Sequence, residues 1–209
     1  ASEKKKEAEV KSVRFRLIDK YMAEGQSDKA LSHLEPEFKS NPSDFETGWK
    51  LLEIYEKKNE TQHAQNLLND LIQQTFEREK YADAISLLKK RENYLTDKPE
   101  DWESLGRDYL KAGESTQADK SFSKAANLYK KAGSLELASE LIDARLSIDP
   151  TQVELYFEKA DIEQQLGNFE SAIKQMNDLM DYSPDQDQKL TALQKIVELN
   201  PKHVTSRHR

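Results

Sequence analysis

The sequence contains no cysteine. That excludes disulfides, a thiolate nucleophile and cysteine-ligated metals, and it removes any redox clue to compartment. Glycine and proline number only six each in 209 residues. Gly25, Gly113, Gly133 and Gly167 stand between helical patterns, and Pro42, Pro99, Pro150, Pro184 and Pro201 follow them, which is helix-end punctuation. No apolar run approaches the roughly 20 residues needed to span a bilayer. No signal peptide is visible. The expectation is a chain with no membrane segment and a cytoplasmic location. The chain opens with Ala1 and no Met, which reads as a processed protein or as a fragment whose targeting segment or anchor was removed.

Reactive groups are equally sparse. Neither His33, His63, His203 nor His208 has a histidine partner at i+3 or i+4, so metal-ligand spacing is absent. His33 stands between Lys29 and Glu37 on one helix face and reads as a solvated histidine. No G-x-G-x-x-G or G-K-[ST] sequence offers a phosphate cradle. Carboxylates are many but spread over helix surfaces, where Glu–Lys pairs give small support. Nothing resembles an acid/base pair in an apolar pocket. The chain is therefore not expected to be an enzyme or to carry a cofactor or metal. Its 32 Lys and Arg against 39 Asp and Glu leave a net charge of −7, a poor match for phosphate backbones. Nucleic acid is not an expected partner.

Helical periodicity is what the chain does have. Hydrophobic residues make up 36% and charged residues 34%, with a mean hydropathy of −0.91. That is a wet surface over a thin core, as in a single row of stacked helices. In Trp102–Phe122 the pattern W-x2-L-G-x2-Y is Trp102, Leu105, Gly106 and Tyr109, followed past Gly113 by Ala118 and Phe122. Looser copies recur. Arg14, Leu17, Ile18 and Tyr21 fall on one face of a first helix, ahead of Gly25, Ala30, Leu34 and Pro42, with Pro36 expected to bend the second helix. Tyr156, Ala160, Gly167, Ala172, Met176 and Pro184 form another copy, and Pro150 to Pro184 spans 34 residues. Tyr55 and Tyr109, Ala64 and Ala118, Leu68 and Phe122, and Ala84 and Ala138 are all 54 residues apart. The equal offset predicts a three-helix supra-unit in addition to helix pairs.

Residues 11–201 resemble the tetratricopeptide-repeat (TPR) family, whose repeat is 34 residues long. The fold class expected is all-α, a tetratricopeptide-type helical-repeat solenoid of about eleven antiparallel helices. Residues 1–10 read as a charged N-terminal tail or helix extension, 11–201 as the repeat domain and 202–209 as a C-terminal tail. The resemblance departs from regular pairing where the 61–79 and 115–131 helices serve two neighbours at once. It implies a concave groove that binds an extended or helical segment of a partner, and no catalysis. The carboxylate-clamp subtype is not expected, because the candidate groove residues of the first three repeats include no Asn and mix acids among the bases.

The function expected is a non-catalytic scaffold or adaptor that mediates protein–protein interaction or complex assembly. Phe15, Trp49 and Phe157 each lie one residue past, or at the edge of, a core position. A rotation of about 100° then turns them toward the groove as apolar anchors; the competing expectation is that irregular stacking buries them. Glu154, Glu158 and Asp161 line the likely groove side of the helix from 152, while residues 1–20 hold seven bases against four acids. An acidic end could accept a basic partner segment or the basic end of another copy. The alternative function is thus a self-associating structural scaffold, a homo-oligomer. A helical-repeat RNA binder ranks lower, since it needs base-reading side chains at one place in each repeat.

Overall fold

The structure is a computed structural model and describes residues 2–200. The expected tail at 202–209 lies outside the described residues, as do His203 and His208. Eleven α-helices and no strand occur among the described residues. They are α1 (Ser2–Ala23), α2 (Ser27–Ser40), α3 (Phe45–Lys57), α4 (Thr61–Glu77), α5 (Tyr81–Glu92), α6 (Pro99–Lys111), α7 (Ser115–Ala132), α8 (Leu135–Ile148), α9 (Val153–Gln165), α10 (Phe169–Tyr182) and α11 (Gln186–Leu199). Helices next to each other in sequence pack together within each of two compact units, Ala1–Tyr94 and Leu95–Arg209.

Two kinds of turn join the helices, and their order groups them. The tight kind follows α1, α3, α4, α6, α7 and α9. In each, a residue of positive φ closes the helix, and the next amide donates back to a carbonyl five residues earlier. After α6, Glu114 N–H reaches the Tyr109 carbonyl at 2.8 Å and Gly113 has φ +84°. This is a Schellman closure. It recurs at Asn59 (φ +58°) and Glu79 (φ +56°), where no glycine marks it. Looser turns carrying Pro42, Pro150 and Pro184 follow α2, α8 and α10, and the one after α5 leads into Pro99, the first residue of α6. The tight turns therefore join α3–α4–α5 and α6–α7–α8 as triplets.

The two triplets use the same core. On α4, Ala64, Leu67, Leu68, Leu71, Ile72 and Thr75 are buried; 54 residues later on α7, so are Ala118, Ser121, Phe122, Ala125, Ala126 and Tyr129. Their outer helices match as well, with Tyr55 and Tyr109, and Ala84 and Ala138, all buried. Both sets run i, i+3, i+4, i+7, i+8, i+11, one broad stripe that serves the helices on either side of the middle one.

One local expectation changes. Leu17 does not face α2. It is 39% exposed, while its neighbour Ile18 is fully buried and Tyr21 is half-buried against His33. One residue is 100° on a helix, enough to turn Leu17 outward. Pro36 sits at an exposed position of α2, and the helix continues past it to Ser40.

Candidate functional site

Phe15 and Trp49 belong to the first unit and lie on α1 and α3, which ion pairs join along their length. Lys11 Nζ is 2.6 Å from Asp44 Oδ1 and 2.8 Å from Glu46 Oε2, and further along Asp19 pairs with Lys50. Lys11, Phe15 and Asp19 are successive i, i+4 positions, so the half-buried Phe15 ring stands between the two ion pairs on one face of α1. Lys11 Nζ also lies 5.3 Å from the Phe15 ring centre. Asp44 caps α3, accepting from the Thr47 amide at 3.3 Å and the Thr47 hydroxyl at 2.8 Å. Burial pushes the Asp44 carboxyl up, but hydrogen bonds from Lys11 and Thr47 outweigh it and hold the group below its ordinary value.

Trp49 is half-buried and held on three sides. Its Nε1–H donates to Glu53 Oε1 at 3.1 Å, one turn on. Lys90 Nζ from α5 lies 5.1 Å from the Trp49 ring centre, within cation–π range. The Phe45 ring lies one turn before it, 5.8 Å away and tilted by 37°. Lys90 is fixed in turn by Glu56 Oε2 at 2.8 Å, whose other oxygen accepts from the Tyr94 hydroxyl at 3.1 Å. Burial and the Glu56 carboxylate push the Tyr94 phenol up to about 12. The result is an aromatic pair on α3, Phe45 and Trp49, with the fixed charges of Glu53 and Lys90 at the edges of Trp49. Phe45, Lys90 and Tyr94 were missed in the sequence. The Phe45–Trp49 i, i+4 spacing was a signal for the first, but Lys90 approaches through tertiary packing alone.

Phe157, Glu154, Glu158 and Asp161 all lie on α9 in the second unit. Phe157 is half-buried and packs against the core formed by Tyr156, Ala160, Met176 and Leu179. Glu154 is exposed. Glu158 pairs with Lys130 of α7, and Asp161 Oδ1 lies 2.6 Å from Lys195 Nζ of α11. Two of the three carboxylates thus have lysine partners within the unit.

A second feature of the first unit had no signal in the sequence. Between α2 and α4 lies a cavity of about 330 Å³, walled by Phe38, Leu51, Tyr55 and Leu67 with Glu35 and His63 at its edge. Tyr55 O–H donates to Glu35 Oε1 at 2.9 Å, and the His63 ring stacks on Tyr55 at 5.3 Å. Among the described residues no group of three or more His, Asp or Glu side chains could hold a metal ion, and no helix is long and apolar enough to cross a membrane.

Residues 153–186, which run from the start of α9 to the start of α11, match the family model of the tetratricopeptide repeat. No curated protein matches the chain. Among solved structures, a tetratricopeptide repeat protein from Parabacteroides merdae is 15% identical, with 89% of this chain and 85% of that one covered and a TM-score of 0.29. A thermophilic TPR protein from Thermus thermophilus is 19% identical, covering 89% of this chain and 98% of that one with a TM-score of 0.31. YrrB, described as a TPR protein with an unusual peptide-binding site, is 12% identical over 87% of this chain and 90% of its own, with a TM-score of 0.32.

Proposed function

We propose, from the premise that this chain is a tetratricopeptide-repeat protein, that it is a non-catalytic adaptor whose first unit grips a protein partner by an apolar side chain. The fold supports a protein–protein interaction scaffold in general. The observation that carries the finer reading is the Trp49 ring, partly exposed and fixed by Glu53, Lys90 and Phe45. A ring held in place before binding loses little freedom on contact, and buried aromatic side chains dominate interface energetics. Phe15, on α1 between the two ion pairs that join it to α3, is the second anchor of this reading. Lys50 and Asp19 beside it are already paired, so the partner's contribution is an apolar anchor flanked by groups able to exchange those pairs. In the second unit, Phe157 and Glu154 form the corresponding proposal, with Glu158 and Asp161 available to a basic segment only if it displaces Lys130 and Lys195.

The test is selection of peptides from a displayed library on the wild-type chain, followed by titration against a Phe15→Ser/Trp49→Ser variant of unchanged helicity. Peptides that lose at least tenfold in affinity support the two anchors. Selected peptides that bind the variant equally well would move the site elsewhere. A parallel Phe157→Ser variant reports on the second unit alone.

A further inference from the structure

Eleven large apolar side chains are exposed among the described residues, and six of them fall in two stripes of the same geometry. On α1, Val10, Val13 and Leu17 are 56%, 60% and 39% exposed. On α11, Leu190, Leu193 and Val197 are 56%, 49% and 52% exposed. Both sets run i, i+3, i+7, the spacing of a helix face that packs on another helix. Other faces of both helices are already used: Ile18 of α1, and Ala192 and Leu199 of α11, are buried. Contiguous exposed apolar surface of this kind marks an interaction site.

We infer that α1 of one copy packs on α11 of a second copy, in a head-to-tail contact between two different faces. Charge selects this pairing over α1 on α1 or α11 on α11. Exposed Lys6, Arg16 and Lys20 flank the α1 stripe against Glu9 and Glu24, the latter 3.9 Å from Lys20, whereas exposed Asp187 and Glu198 and the half-buried Lys189 flank the α11 stripe, so the first stripe is bordered by net positive charge and the second by net negative charge. Like helices brought together would oppose bases to bases or acids to acids. With the stripes face to face and the helices parallel, Val10 meets Leu190, Val13 meets Leu193 and Leu17 meets Val197. Lys6 then falls on the side of Asp187, and Lys20 on the side of Glu198. The surface differs from the α9 carboxylates, of which Glu158 and Asp161 are held by Lys130 and Lys195. A dimer held by one such heterologous contact keeps one free α1 and one free α11, through which assembly continues into rings or filaments. One helix on one helix is a small interface, and the association is therefore concentration-dependent.

The experiment is sedimentation velocity at low salt on the full chain, with Val13→Glu and Leu193→Glu as variants. Both changes are at exposed positions, and circular dichroism checks that each variant keeps its helicity. The wild type should grow beyond dimers as concentration rises, and each variant alone should be monomeric with at least a tenfold weaker association. A one-to-one mixture of the two should form a dimer and stop there, because the intact α11 of one meets the intact α1 of the other. Charge reversal at Lys20→Glu should weaken assembly, and Glu198→Lys in the same chain should restore it. A wild type that stays monomeric overturns the inference. A Leu193→Glu variant that still dimerises would show α1 on α1, a Val13→Glu variant that does so would show α11 on α11, and a monomeric mixture would exclude the head-to-tail contact.

Discussion

Gly106 lies against the ring of Phe122: a Cβ on Gly106 would come within 2.6 Å of both Cδ1 and Cε1. The positions 54 residues earlier are Leu52 and Leu68, both buried. The second triplet thus has a smaller residue on α6 and a larger one on α7 where the first has two leucines. Volume moved from one helix to the other while the spacing was kept, which is the kind of change that cores tolerate. Gly106→Ala should therefore destabilise the chain in spite of alanine's better helix propensity. Alanine gains about 0.5–1 kcal/mol in a helix, but overpacking against a ring that is 1% exposed costs about 1–3 kcal/mol. Gly106→Leu with Phe122→Leu, which copies the first triplet, should recover most of the loss in urea denaturation. A double variant no better than Gly106→Ala would break the correspondence between the triplets.

The inter-helix alanines set a harder limit. Ala118 and Ala172 are fully buried, where their helices meet α6 and α9. An arginine there must bury an unpaired charge or force the helices apart. Ala118→Arg or Ala172→Arg should cost more than about 4 kcal/mol and unfold its neighbourhood. An unchanged thermal midpoint in either variant would show that the helix register is wrong.

Glu79 holds φ +56° at the turn from α4 to α5 without being glycine. A side chain in that left-handed conformation costs roughly 1–2 kcal/mol. Glu79→Gly should raise stability by about 1 kcal/mol. Asn59→Gly, at the equivalent turn after α3, should gain less because asparagine tolerates the conformation better. Equal gains would mean that residue type has no part in the strain at these turns.

Acid should act on the second unit through Glu163. This carboxylate is buried, accepting from the Ser139 hydroxyl at 2.6 Å and from Asn168 Nδ2 at 3.0 Å, with Lys159 nearby. Burial pushes it up, but those hydrogen bonds and the lysine charge win and hold it below the ordinary 4.5. A depressed folded value means that the carboxylate stabilises the fold fully above pH 4.5 and loses that contribution as pH falls toward the folded value. The difference in thermal midpoint between wild type and Glu163→Gln should therefore be largest near neutrality and shrink below about pH 4. A difference that stays constant from pH 7 to pH 3 would rule the carboxylate out.

Trp49 and Phe122 separate binding from packing. Phe122→Ala, in the core, should cost about 3–5 kcal/mol. Trp49→Ala removes a half-buried ring and should cost well under half of that. A Trp49→Ala loss as large as that of Phe122→Ala would make the ring a core residue and remove it from the partner face.

Helix number and type were legible in the sequence because they depend on local periodicity and turn residues. The order Trp102, Leu105, Gly106, Tyr109, Ala118 and Phe122, and the offset of 54 residues, locate both triplets. The turns at Asn59 and Glu79 were harder to read, since neither carries the glycine that announces such a closure. Leu17 was misplaced by one residue for a related reason: Leu17 and Ile18 are equally apolar, and only contact with α2 decides which of them turns inward. The candidate site was legible in part. Phe15 and Trp49 stood out as large rings beside core positions, but the chain order holds no trace of Lys90 reaching Trp49 from α5, or of Lys130 and Lys195 reaching the α9 carboxylates.

The sequence by itself determined that this protein is a succession of helices closed by prolines and tight turns, because those choices lie within a few residues of one another. The tertiary structure alone decided which charges are neutralised and which apolar faces remain open. Those outcomes depend on side chains brought together from helices about 30 or more residues apart, such as Lys195 on Asp161 or Lys90 on Trp49. They also depend on which face of α1 and α11 a neighbour already occupies.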